Sequence, residues 1–183
     1  MKLAVIFPGI GYHTDKPLLY YSKKIVREYG FEVISVDYSG FDLSIKGNAD
    51  KMKEAFLSAL SQAEDILKDT DFSKYETVLF VSKSVGTAVA GAYAEKYGIN
   101  TKNVFYTPVE QSFKVMNNPG IVFHGNKDPW LKHELFLECI KKTEYEYYVI
   151  DKGNHSLETG DVDVDIENMA YIMKKTKDYV SEI

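Results

Sequence analysis

Apolar residues recur along this chain in two rhythms. Short, largely apolar runs at residues 3–7, 31–36, 78–81, 103–106, 121–124 and 145–150 are bounded by Pro, Gly, Asn, Asp or Ser. Runs of that length and composition predict strands buried on both faces of a sheet. Between them the period lengthens. Residues 17–29 place Leu18, Tyr21, Ile25 and Val26 on one side and Lys23, Lys24, Arg27 and Glu28 on the other, with Gly30 to stop the helix. Residues 49–68 repeat the pattern with Met52, Ala55, Phe56, Leu60, Ala63 and Leu67. Further helices are predicted from Val85 to the stop at Gly98, over 131–142, and over 165–181. Strands alternate with helices throughout, without an internal repeat or a linker. The pattern therefore predicts a single α/β domain over residues 1–183: one parallel sheet covered on both faces by right-handed crossovers, a three-layer sandwich.

Composition narrows the function classes. A formal net charge of -5 and no basic patch argue against nucleic acid and against an anionic membrane surface as partners. No stretch approaches the length of a membrane span. The apolar run ending at Pro8 and Gly9 is too short for a secretion signal, so a cytoplasmic protein is expected. The single cysteine, Cys139, excludes an internal disulfide and a cysteine metal cluster, and its mid-helix place predicts a buried structural thiol.

Candidate chemistry gathers at strand ends. After the run at 78–81 comes Ser82-Lys83-Ser84-Val85-Gly86 and then a small-residue helix, the pattern of a sharp strand-to-helix turn that presents a serine. Such a turn needs small neighbours, here Ser82 and Gly86. It also leaves the Val85 N–H free at a helix N-terminus, where it can face an oxyanion. A plain N-capping serine gives the same local pattern. The loop Pro8-Gly9-Ile10-Gly11-Tyr12-His13 follows the first strand; its glycines let backbone approach a ligand, and Ile10, or else Gly11 or Tyr12, is the expected second oxyanion N–H. The loop lacks the third glycine and the Lys-Ser/Thr of a phosphate loop. Asp128 follows the fifth strand and His155 the sixth. Ligands of open parallel sheets bind beyond the carboxyl ends of strands, so Ser84, Asp128 and His155 are expected to share one crevice. Separately, Asp128 reads as a turn former before Pro129, and His155 as a loop histidine.

The chain resembles small α/β-hydrolases, and is similar to the short dienelactone-hydrolase-like members of that superfamily. The matching stretches are 82–86, 124–128 (His-Gly-Asn-Lys-Asp), 153–157 (Gly-Asn-His-Ser-Leu) and 7–11 (Phe-Pro-Gly-Ile-Gly), which span nearly the whole chain. The resemblance implies a minimal α/β-hydrolase fold with six mostly parallel strands in the order 2-1-3-4-5-6 and no cap domain. It also implies Ser84 as nucleophile, His155 as base and Asp128 as orienting acid. Dienelactone hydrolases use cysteine where this chain has Ser84, so their substrate does not carry over. The implied activity is hydrolysis of a small ester, thioester or amide, with a small-molecule acyl substrate and no cofactor or metal. Gly9, Gly11, Tyr12, Lys83 and Trp130 are pocket candidates, and Lys83 is suited to a substrate carboxylate or to local packing. His124 reads as structural and His133 as exposed on its helix. The alternatives are a non-catalytic binding or scaffold member of the fold and, more distantly, a flavin or nucleotide binder using the 9–13 loop; Asp37 stands where dinucleotide folds carry a ribose-binding acid, without their glycine fingerprint. Exposed sheet edges make a homodimer plausible.

Overall fold

The computed structural model describes residues 1–41 and 48–183. In chain order the elements are β1 (Lys2–Phe7), α1 (Pro17–Glu28), β2 (Phe31–Ser35), α2 (Ala49–Leu67), β3 (Thr77–Lys83), α3 (Val85–Tyr97), β4 (Lys102–Tyr106), β5 (Gly120–Gly125), α4 (His133–Ile140), β6 (Glu146–Ile150) and α5 (Val162–Ser181). The six strands form one sheet in the order β2-β1-β3-β4-β5-β6, and every pairing is parallel. Part of the polar connection expected at 37–48 lies outside the described residues.

Alternation along the strands builds two cores. Ala4, Ile6, Leu79, Val81, Val104, Tyr106, Ile121 and Phe123 face α1 and α5, where Leu18, Leu19, Val26, Ile172 and Val180 meet them. Leu3, Val5, Phe7, Val78 and Phe80 face α2 and α3, and Phe105 and Val122 face α4 on that same side. Each strand in the middle of the sheet is thus apolar at successive positions because both faces are covered. A buried hydroxyl relay fastens the first core: Tyr106 Oη lies 2.9 Å from Ser22 Oγ and 2.7 Å from Thr176 Oγ1, joining β4 to both helices.

Several local expectations are corrected. Tyr21 is exposed, and Leu19 and Ser22 take the buried face of α1 in its place; Ser22 is tolerated there because its hydroxyl donates to Leu18 O at 2.7 Å. Helix α5 starts at Val162 because Asp161 caps it, accepting from the Asp163 and Val164 N–H groups. Helix α4 is shorter than expected, and Leu131 is buried ahead of it. Cys139 is half-buried, not buried. His133 is also half-buried, with its ring stacked on His124 at 5.4 Å between centroids. The connection from β4 to β5 holds one short 3-10 turn, Glu110–Lys114, and no helical cap.

Candidate active site

Ser84 ends β3 and begins α3 with φ 56° and ψ -128°, a conformation that a residue with a side chain seldom adopts. The sequence permits it through two glycines. A Cβ at Gly86 would collide with the Phe7 and Pro8 carbonyl oxygens, and one at Gly9 would press within 3.0 Å of Ser84 Cβ. Ser82, where a glycine is more usual, is fully buried and donates to Val104 O at 3.4 Å. The strained turn is anchored by Ser84 N–H to Tyr106 O at 3.0 Å and by Thr87 Oγ1, which donates to Ser84 O at 2.6 Å.

Asp128 and His155 come from loops after β5 and β6, and those loops are pressed together. Lys127 N–H donates to Gly153 O at 2.9 Å, and a Cβ at Gly125 would collide with the Gly153 and Asn154 carbonyl oxygens. Asn126 bridges them again: its amide donates to Asp151 Oδ1 at 2.8 Å and its oxygen accepts from Lys152 N–H at 2.7 Å. Asn154 folds the histidine loop by accepting from Ser156 N–H at 2.7 Å. Buried Thr107, a residue that sequence reasoning missed, donates to His155 O at 3.0 Å. Its only sequence signal was its place one residue beyond β4.

These supports bring the three chemical groups into line. His155 Nε2 lies 2.7 Å from Ser84 Oγ, and His155 Nδ1 lies 2.7 Å from Asp128 Oδ2. The other carboxylate oxygen of Asp128 accepts from Trp130 N–H at 2.8 Å. Burial opposes ionisation of Asp128, but the hydrogen bond and charge of His155 and the Trp130 N–H outweigh it and hold the carboxyl below its ordinary value. The acid therefore stays ionised at neutral pH, and an ionised acid on Nδ1 leaves Nε2 available to accept a proton from serine.

The loop after β1 closes on itself through paired Gly9 and Tyr12 backbone hydrogen bonds, both 3.2 Å, with Gly11 at φ 74°. The Tyr12 N–H is thereby engaged. Among the described residues the Ile10, Gly11 and Val85 N–H groups donate no hydrogen bond. A cavity of about 260 Å³ opens beside Ser84 and His155. Ile10, Gly11, Tyr12, Lys83, Val85 and Trp130 line it as expected, joined by Lys16, Met52, Val109 and Ser156, which the sequence did not single out. Gly9 does not line the cavity; it lies beneath, against Ser84. The Trp130 ring stands 5.7 Å from the His155 ring.

Other candidates fall outside this site. His124 is fully buried, stacked 4.0 Å from Phe136, and burial pushes its pKa down to about 4, so the ring is neutral and structural. Asp37 accepts from Thr14 Oγ1 at 2.8 Å and His13 lies on the exposed loop. Among the described residues no group of three or more His, Cys, Asp or Glu is placed to hold a metal ion, and no helix is long and apolar enough to cross a membrane.

No protein-family model matches this sequence, and no curated protein matches it. Solved structures do. A serine hydrolase homologue of the α/β class from Coxiella burnetii superposes with a TM-score of 0.68 at 14% identity, covering 96% of this chain and 84% of its own. Est1E from Butyrivibrio proteoclasticus, solved with ferulic acid bound, gives 0.72 at 14% identity over 100% of this chain and 89% of its own. An α/β serine hydrolase without a lid from Xanthomonas campestris gives 0.63 at 11% identity over 95% and 81%. At such identities the likeness establishes the fold: this chain has the α/β-hydrolase fold, in a form without a cap among the described residues.

Proposed function

We propose that this protein, an α/β-hydrolase fold with a serine at its strained elbow, is a serine hydrolase of small carboxylic esters or thioesters. One observation carries the reading: His155 hydrogen-bonds both Ser84 Oγ and Asp128 Oδ2 at 2.7 Å, at the mouth of a cavity. Serine alone is a weak nucleophile at neutral pH and needs an adjacent base. In this reading Ser84 Oγ attacks the acyl carbonyl as its proton passes to His155 Nε2, and Asp128 stabilises the imidazolium that results. The Val85 and Ile10 N–H groups, which have no acceptor among the described residues, receive the oxyanion; each is worth about 3 kcal/mol in the transition state. His155 then protonates the leaving alcohol or thiol, and water, deprotonated by the same ring, releases the acid from Ser84.

The test is turnover of a short-chain p-nitrophenyl ester series by wild type and Ser84→Ala. Wild type should hydrolyse the shorter esters, and Ser84→Ala should lose about a thousandfold in kcat/KM. A fluorophosphonate should label wild type at Ser84. If wild type is neither labelled nor active, the fold serves here as a non-catalytic binding module.

A further inference from the structure

Among the described residues, the cavity beside Ser84 is lined by cationic side chains without a matching acid. Lys83, the residue immediately before the serine, is 2% exposed, yet it lines the cavity. Among the described residues its ammonium makes no hydrogen bond and no ion pair; it stands 4.8 Å from the centroid of the Tyr12 ring. Lys16, half-buried on the same wall, places its ammonium 5.3 Å from that ring and likewise has no ion pair among the described residues. Among the described residues no Asp or Glu lines the cavity. The nearest carboxylate influence on Lys83 comes from Asp128, whose oxygens are already taken by His155 and Trp130, and from exposed Glu158.

A buried ammonium without a counter-ion is costly, and ring faces compensate only a small part of the lost hydration. Proteins almost never bury lysine unpaired. In a chain with a net charge of -5, two lysines without an ion pair among the described residues, beside a candidate nucleophile, are a local reversal of sign. Such a reversal concentrates anions at the site and holds them once desolvated. The small volume limits what accompanies the charge to a short chain.

We propose that the cavity takes a short acyl group ending in a carboxylate, held by the Lys83 and Lys16 ammonium groups while its ester or thioester carbonyl lies at Ser84. The proposal deepens the hydrolase reading and rests on it for the reaction, but the anion site itself is testable without turnover. A half-ester of a short dicarboxylic acid is the substrate class. The neutral acyl group of the same length leaves both ammonium groups without a partner, which is the source of discrimination.

The experiment is calorimetric titration of monomethyl glutarate and of uncharged methyl pentanoate into Ser84→Ala protein. The same titrations go into Ser84→Ala carrying Lys83→Met or Lys16→Met, with melting curves to verify folding. Monomethyl glutarate should bind at least tenfold more tightly than methyl pentanoate. Lys83→Met should weaken it at least tenfold and Lys16→Met severalfold, removing the preference for the charged ester. Should Lys83→Met fail to fold, Lys16→Met, on the cavity wall and only half-buried, carries the same comparison. Equal affinity for the two esters, no detectable binding of the charged one, or folded variants that bind it as well as the parent would each overturn the proposal. Failure of the hydrolase reading is seen separately, as absent fluorophosphonate labelling of wild type.

Discussion

Lys83 is the residue at which stability and the site meet most directly. Burial pushes its pKa down to about 7, with Lys16 pushing further and Asp128 and Glu158 opposing. In the unfolded chain the same amine has its ordinary pKa of about 10.4. Between those two values the unfolded state holds a proton that the folded state lacks, so this residue makes the fold more stable as pH rises toward about 10 and least stable, by its own contribution, at or below about 7. Lys83→Met should therefore raise Tm at pH 7, and each kcal/mol gained moves it by about 2–4 °C in a chain of this size. The gain should shrink by at least half near pH 9.5. Thermal melts of both proteins at the two pH values check this; a gain that does not vary with pH would mean that the lysine does not titrate on folding. The depressed pKa was not legible in the sequence. Lys83 ends an apolar strand either way, and its burial comes with tertiary neighbours such as the Gly9 backbone and the Tyr12 ring, 4.8 Å from its ammonium.

At the scale of elements, the loops after β5 and β6 act as one body. The contact between Gly125 and the Gly153–Asn154 backbone leaves no room for a methyl group. Gly125→Ala should push the histidine loop off the acid loop and move His155 relative to Ser84, and a displacement of about 1 Å is enough to cost roughly a hundredfold in rate. Ester kcat/KM should fall by about that factor while the circular dichroism of the sheet persists; unchanged activity would show that the loops are not what positions His155. The address of these loops was legible in advance, because Gly-Asn-Lys-Asp and Gly-Asn-His-Ser each follow a run that reads as a strand. Their docking was not, since it depends on β5 and β6 being neighbours in register. The strands themselves were legible for a plain reason: residues such as Val78 to Val81 are apolar without interruption, and only a doubly covered strand uses that pattern. The face of α1 was misread because Tyr21 is apolar enough to suit a core, whereas Ser22 is buried only by virtue of its bonds to Leu18 O and Tyr106.

Across the whole molecule, the hydroxyl relay of Ser22, Tyr106 and Thr176 ties the middle of the sheet to the first and last helices. Tyr106→Phe leaves a buried threonine hydroxyl without that partner and should cost about 1–3 kcal/mol, read as a lower urea midpoint with an unchanged m-value. Because the change lies in the body of the core, away from the loops of the cavity, ester kcat/KM should stay within about twofold while stability falls. A matching loss of activity would show that the two are coupled through β4, whose Tyr106 carbonyl anchors the elbow. That anchor has a consequence on the timescale of descent. Ser84 is held at a positive φ that glycine would occupy with less strain, so heritable change favouring persistence alone would replace it. Relatives that kept serine at this turn, together with the two glycines that make room for it, would be keeping it for what the hydroxyl does and not for how well the chain endures.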